Sequence, residues 1–230
     1  MTERQEAILM FVIESYIDTV EPIGSSFLSE KSSLDVSGAT IRNELRALEE
    51  MGYLTHPHTS AGRIPTELGY KYYVEHLNLE EEVSNETQNL LHSSLVVSQD
   101  PKEKIKAFAK FSAELAGNAV IVSFGRNSLY YTGISNLFSQ PEFQNYAYTL
   151  NVSAVFDECE NRISEVYEHI AKNQIKIFIG SENPFGKECS AIVTRFGSEQ
   201  LFILLGPMRM RYKNNIKLIS KFHDLMNEIL

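Results

Sequence analysis

A chain of 230 residues, 43% hydrophobic and 22% charged, has the balance of a folded globular protein with room for one large domain or two ordinary ones, which argues against wholesale disorder. Its longest apolar runs, such as Leu201–Leu205, are strand-length against the roughly 20 residues that cross a bilayer, and MTERQEAILM lacks a signal-peptide pattern, so a cytoplasmic protein without a membrane partner is expected. A net charge of −9 argues against general polyanion binding, and within residues 1–78 six Lys/Arg face twelve Asp/Glu, a net of −6.

Thr2-Glu3-Arg4-Gln5 fits a capping box, and Leu9, Val12, Ile13, Tyr16, Ile17 and Val20 then recur at helical spacing. Glu21-Pro22-Ile23-Gly24 breaks that helix, a short one follows over Ser25–Lys31, and Ser32 to Asp35 supply a turn. Ser37 is a good N-cap for the next helix, with Ile41, Leu45 and Leu48 on its buried stripe and Gly52 just past its end. In Tyr53–Pro65 two short extended arms flank Thr59-Ser60-Ala61-Gly62, and Thr66 caps a last helix with Tyr70, Tyr73, Val74 and Leu77 facing inward. Helix, helix, turn, helix, hairpin, helix is the order of a winged helix-turn-helix, placed at residues 1–78.

Residues 79–100 read as a linker or connecting helix, with Glu80-Glu81-Glu82 and a Ser/Asn/Gln-rich run. From Asp100-Pro101 the chain alternates helix and strand. Ile105, Phe108, Leu115 and Ala116 fall near helical spacing. Ala119–Phe124 reads as a buried strand, Ala154–Ala171 as a helix, Ile175–Ile179, Ala191–Phe196 and Leu201–Leu205 as strands, and the segment from Tyr212 to Ile229 as a closing amphipathic helix. Residues 101–230 are thus expected to form an α+β domain with a mainly antiparallel sheet.

The major groove of B-DNA admits one α-helix, whose N-terminal side chains read base edges. On the polar side of the Ser37 helix, small Gly38 and Ala39 allow close approach. Ser37 and Thr40 offer hydroxyls, and Arg42, Asn43 and Arg46 offer the fork and amide donors used for guanine, adenine or phosphate. The alternative is an ordinary solvated helix face. The hairpin segment His56 to Arg63 contains no acid in an otherwise acidic stretch, and His58, Thr59, Ser60 and Arg63 suit phosphate or minor-groove contact. His56-Pro57-His58 lacks a third metal ligand nearby, so no metal and no cofactor is expected. No nucleophile elbow, glycine-rich phosphate loop or spaced acidic pair is present, and no enzyme is expected. Cys159 and Cys189 have no redox or metal-ligand neighbours and read as buried thiols.

The runs Val36 to Leu45, Leu48 to Leu54, His58 to Thr66 and Gly69 to Val74 resemble the HrcA family of heat-inducible transcription repressors. Gly133 to Phe143, Ile179 to Phe185 and Gly206 to Met210 are similar to that family's C-terminal signatures. The resemblance implies a repressor of chaperone operons that binds a double-stranded inverted-repeat operator, the CIRCE element. It implies a winged helix followed by a GAF-like domain carrying an inserted dimerisation domain, and a dependence on the GroE chaperonin. This chain has only eight residues between Phe124 and Gly133, which leaves no room for that insertion. An inverted repeat still asks for a homodimer. Its interface stays open among the first helix, the segment around Leu90–Val97 and the remaining GAF-like face. The alternative function is a GAF-like sensor or protein-interaction module that has lost operator binding. For the aromatic residues Phe124, Tyr130, Tyr131 and Phe138, packing is favoured over ligand binding, and for Asn183-Pro184-Phe185 a structured turn.

Overall fold

The computed structural model describes residues 1–32, 36–58, 61–79, 99–125, 128–197 and 199–229, with side chains to 226 in the last stretch. The chain divides into two compact units, Met1–Leu77 and Asn78–Leu230. The architecture is α+β, with a mainly antiparallel sheet, as the element pattern predicts.

In the first unit, α1 (Glu3–Thr19) begins with the expected capping box. Thr2 Oγ1 accepts from the Gln5 amide at 3.3 Å, and Gln5 Oε1 accepts from the Thr2 amide at 2.9 Å. Ile8, Leu9, Val12, Ile13 and Ile17 form its buried stripe. Helix α2 spans Ser25–Lys31, and α3 spans Gly38–Glu50 with Ser37 as its N-cap and Ile41, Leu45 and Leu48 buried. The two extended arms shorten to β1 (Leu54–Thr55) and β2 (Ile64–Pro65), paired antiparallel, before α4 (Glu67–Glu75) starts on the Thr66 cap. Ile23 adds a bridge that the sequence pattern does not announce. Its amide donates to Arg63 O at 2.9 Å, and the Arg63 amide donates to Ile23 O at 2.8 Å. The segment between α1 and α2 therefore lies beside the hairpin as a third extended stretch.

The second unit opens with α5 (Pro101–Ala116), capped by Asp100 and ended by Gly117 in the left-handed region. Then come β3 (Ala119–Ser123), β4 (Leu129–Thr132), α6 (Ile134–Phe138), α7 (Tyr146–Asp157), α8 (Cys159–His169), β5 (Ile175–Ile179), β6 (Cys189–Phe196), β7 (Gln200–Pro207) and α9 (Tyr212–Ile229). The strands are ordered β4-β3-β7-β6-β5, every neighbour antiparallel. The short gap where the family resemblance places an insertion is closed as a β3–β4 hairpin, from Val120↔Thr132 to Ser123↔Leu129.

Both faces of the sheet are covered, which explains why its central strands are buried almost residue by residue and do not alternate apolar with polar. On one face Ile121, Ala191, Val193, Ile203 and Leu205 pack with Val152, Val155, Cys159, Ile163 and Val166 of α7 and α8. On the other, Phe222 of α9 stacks at 4.2 Å from Phe202, 4.8 Å from Phe108 and 5.1 Å from Phe196, centroid to centroid.

The single helix expected over Ala154–Ala171 is two, α7 and α8, broken at Glu158, whose backbone leaves the helical well (φ −100°, ψ 10°). Helix α7 escapes periodicity because apolar residues surround it. Val152 and Val155 are buried, while Tyr146, Tyr148 and Leu150 are exposed. Both cysteines are buried, and burial pushes the Cys159 thiol up to about 11 and that of Cys189 up to about 12. At neutral pH they are uncharged and poor nucleophiles.

Candidate nucleic-acid interface

Helix α3 is built to show one face. Ile41, Leu45 and Leu48 turn inward, and Arg42, Asn43 and Arg46 are exposed on the opposite side. Ser37 is occupied at the helix start, where its Oγ accepts from the Thr40 amide at 3.2 Å and lies 3.0 Å from Thr40 Oγ1. Of the three donors, Arg42 makes a light contact, Nε to Ser25 Oγ at 3.3 Å. Arg46 pairs with Glu50 at 2.9 Å across one turn, with both side chains more than half exposed. Such a pair is worth at most about 0.5 kcal/mol and yields readily to a better anion.

Arg42, Asn43 and Arg46 line an open cleft of about 470 Å³, completed by Ser25 and Ser26 of α2 and by Gly62 and Arg63 next to β2. No acid among the described residues lines it. The cleft depends on a close approach: a Cβ on Gly62 would lie 2.5 Å from the Ile23 carbonyl carbon and 2.6 Å from Pro22 O. Only glycine lets this stretch lie against the strand segment at Ile23. Gly69 is similarly confined on α4, where a Cβ would meet Tyr53 O at 2.4 Å.

Arg4 and Lys71 are drawn into this unit's own framework. Arg4 reaches Glu44 with Nε at 2.8 Å and NH2 at 2.7 Å, and Gln5 Nε2 donates to the second Glu44 oxygen at 3.0 Å. Glu44 thereby sits buried on the inner side of α3, a role invisible in a helical wheel that marks only apolar residues. Lys71 pairs with Glu67 at 2.9 Å. Arg63 differs from its expected exposure. It is half-buried, its NH2 pairs with Glu49 Oε2 at 2.7 Å, and its Nε is buried with no partner among the described residues. The same Glu49 carboxylate receives His56 Nδ1 through its other oxygen. The hairpin is acid-free in sequence, yet α3 supplies it with a carboxylate. His58 is exposed, while Thr59 and Ser60 lie outside the described residues.

In the second unit two of the signature segments meet. Arg209 Nε is 2.7 Å from Glu142 Oε1, and its NH2 donates to Gln140 Oε1 at 3.0 Å. Asn183 Oδ1 accepts from the Phe185 amide at 3.1 Å, and Phe185 is buried in the core, which makes the third segment a structured turn. Phe138 and Tyr131 pack against the same core. A cleft of about 360 Å³ is lined by Ser164, Tyr167, Glu168, Arg195 and Glu199. Among the described residues no His/Cys/Asp/Glu group is arranged to hold a metal, and no helix is long and apolar enough to cross a membrane.

The family model for the HrcA protein C terminal domain matches residues 75–216. The heat-inducible transcription repressor HrcA of Thermomicrobium roseum is 44% identical over 54% of this chain and 36% of its own length. Its counterpart in Desulforamulus reducens is 40% identical over 64% of this chain and 38% of its own. The chain thus spans little more than a third of the length of these relatives. Among solved structures, a crystal structure of a hypothetical protein at 2.2 Å resolution superimposes with a TM-score of 0.82, covering 100% of this chain and 98% of that one at 16% identity. That likeness speaks for the fold alone.

Proposed function

The chain belongs to the HrcA family, and from that premise we propose that it is a cytoplasmic, non-enzymatic transcription repressor of heat-shock operons that binds a CIRCE-type inverted repeat. In this reading residues 1–78 are a winged helix-turn-helix, with α3 as the recognition helix and the β1–β2 hairpin as the wing. Residues 79–100 connect it to a GAF-like regulatory domain at 101–230. A homodimer presents two α3 helices to two half-sites, and the resemblance supports GroE as a further partner.

One observation carries the reading. In a unit whose overall charge is negative, three of six cations border a single cleft alongside the exposed face of α3, and no acid among the described residues lines it. Phosphate attraction is local, so bulk acidity does not forbid it. In this reading Arg42, Asn43 and Arg46 supply fork and amide donors for base edges or phosphate, Ser37 and Thr40 supply hydroxyls near the helix start, and His58, Thr59 and Ser60 are assigned to phosphate or minor-groove contact from their side-chain chemistry.

The test is a gel shift at physiological salt comparing a duplex that carries the inverted repeat with a scrambled one. Preference for the repeat is expected, and equal affinity for both would overturn the repressor reading. Arg42→Ala is expected to weaken specific binding by roughly 1–3 kcal/mol, the loss typical of a base-reading contact. Unchanged preference in that variant would put Arg42 outside the interface.

A further inference from the structure

Glu49 holds two basic groups of the first unit at once, Arg63 at 2.7 Å and His56 on its other oxygen. These partners come from opposite arms of the hairpin, His56 just after β1 and Arg63 just before β2. Glu49 itself is on the last turn of α3, the helix that displays Arg42 and Arg46. The carboxylate therefore fastens both arms of the hairpin to the end of this helix.

Arg63 is placed for fastening. Its backbone amide and carbonyl are both used by Ile23, at 2.8 and 2.9 Å, and its NH1 reaches Ala61 O at 3.4 Å. Its side chain is 23% exposed. A guanidinium so enclosed would be left largely uncompensated if its carboxylate were removed, and that carboxylate neutralises the charge that would otherwise draw it to a DNA phosphate. Arg42 and Arg46 on the same cleft meet no such obstacle.

We propose that Glu49 and Arg63, with His56, form a carboxylate-centred lock that sets the angle between the hairpin and α3, so that Arg63 is a positioning residue of the DNA-binding surface and not a phosphate ligand. This rests on the DNA-binding reading for its consequence, and on the contacts of Glu49 alone for the lock. A hairpin held at one angle lets α3 and the hairpin tip engage the duplex together. A loosened hairpin leaves the exposed arginines free to bind any phosphate backbone while the joint fit to one sequence is lost.

Two measurements on the full chain separate these parts, each made on wild type, Glu49→Gln, Arg63→Met, Arg63→Lys and the Glu49→Gln/Arg63→Met double variant. The first is amide hydrogen exchange at Ile23 and Arg63, the two donors that tie the hairpin to the preceding strand segment. Glu49→Gln is expected to speed both about tenfold, the factor that corresponds to roughly 1.4 kcal/mol of lost closure; unchanged exchange overturns the lock. The second is binding to the repeat and scrambled duplexes across a salt series. Glu49→Gln and Arg63→Met are each expected to lower the preference for the repeat about tenfold, the double variant no further. Arg63→Lys should recover part of the loss, and the slope of log affinity on log salt should stay at its wild-type value. A slope shallower by about 0.9 in Arg63→Met marks a lost phosphate contact and overturns the positioning role. Tighter binding by Glu49→Gln also overturns it, because Glu49 would then be masking Arg63. If wild type shows no preference for the repeat, the repressor reading fails, and the exchange data alone decide whether the lock exists.

Discussion

Phe222→Ala should cost the second unit about 3–5 kcal/mol, the range for truncating a fully buried phenylalanine. Phe222 has no exposed surface, and its ring contacts Phe108 of α5, Phe196 of β6 and Phe202 of β7. It is thus the common neighbour of both helices on that side of the sheet and of two adjacent strands. Removing the ring leaves a void that the stiff strands cannot close, so the transfer loss and the cavity term add. A domain is stable by only about 5–15 kcal/mol, and this single change consumes much of it. In a urea titration followed by circular dichroism, the transition belonging to the second unit should move to lower denaturant. A shift worth less than about 1 kcal/mol would mean that α9 repacks without this ring.

Gly133→Ala is the second large effect. Gly133 precedes α6 with φ 72°, a left-handed conformation that costs a residue bearing a Cβ roughly 1–2 kcal/mol. Space makes it worse, because the added methyl would lie 2.4 Å from Asn118 O and 2.6 Å from Ala113 Cβ. Neither neighbour is the end of a flexible side chain. One is backbone, and the other is fixed on α5, so overpacking of about 1–3 kcal/mol adds to the dihedral cost. The variant should lose about 2–5 kcal/mol in the same titration. The substitution lies in a different unit from α3, so DNA binding by molecules that remain folded should hardly change. A variant as stable as wild type would mean that the turn after β4 can relax away from α5.

Local rules made much of this fold legible. The capping box at Thr2 and Gln5, the caps at Ser37 and Thr66, the Asp100-Pro101 start of α5 and the apolar runs of β3, β6 and β7 each depend on neighbours in the chain or on simple burial, and the structure has all of them. What escaped depends on distant approach. The Ile23–Arg63 bridge joins a segment that reads as a mere helix break to one that reads as a hairpin arm. Burial of Glu44 follows from Arg4 and Gln5 meeting it from another helix, and no periodicity of apolar residues marks a satisfied carboxylate. For the site, the exposed row Arg42, Asn43, Arg46 followed from helix spacing, because that face is set by the buried stripe behind it. The position of Arg63 did not, because its exposure depends on where Glu49 of another element lies. The sequence rule that held less well was the count of acids along the hairpin, since charge neutrality is reached through space.

The order of the five-stranded sheet also bears on how the second unit comes into being. Strands β3 and β4 are consecutive, as are β5, β6 and β7, so two small sheets assemble from near neighbours. The seam between them is β3 against β7, with Ala119 opposite Leu205 and Ser123 opposite Leu201, and closing it gathers in every element between. Closure entropy must be spent before that seam rewards it, so the seam is the late step of folding, and pulse-labelled exchange should find its amides protected last. Simultaneous protection of the whole sheet would contradict this. Until then the mostly apolar β3 and β7 each present an open edge. That interval is when a newly synthesised chain is most exposed to sticking to its neighbours, and when shelter by a folding chaperone has most to offer it.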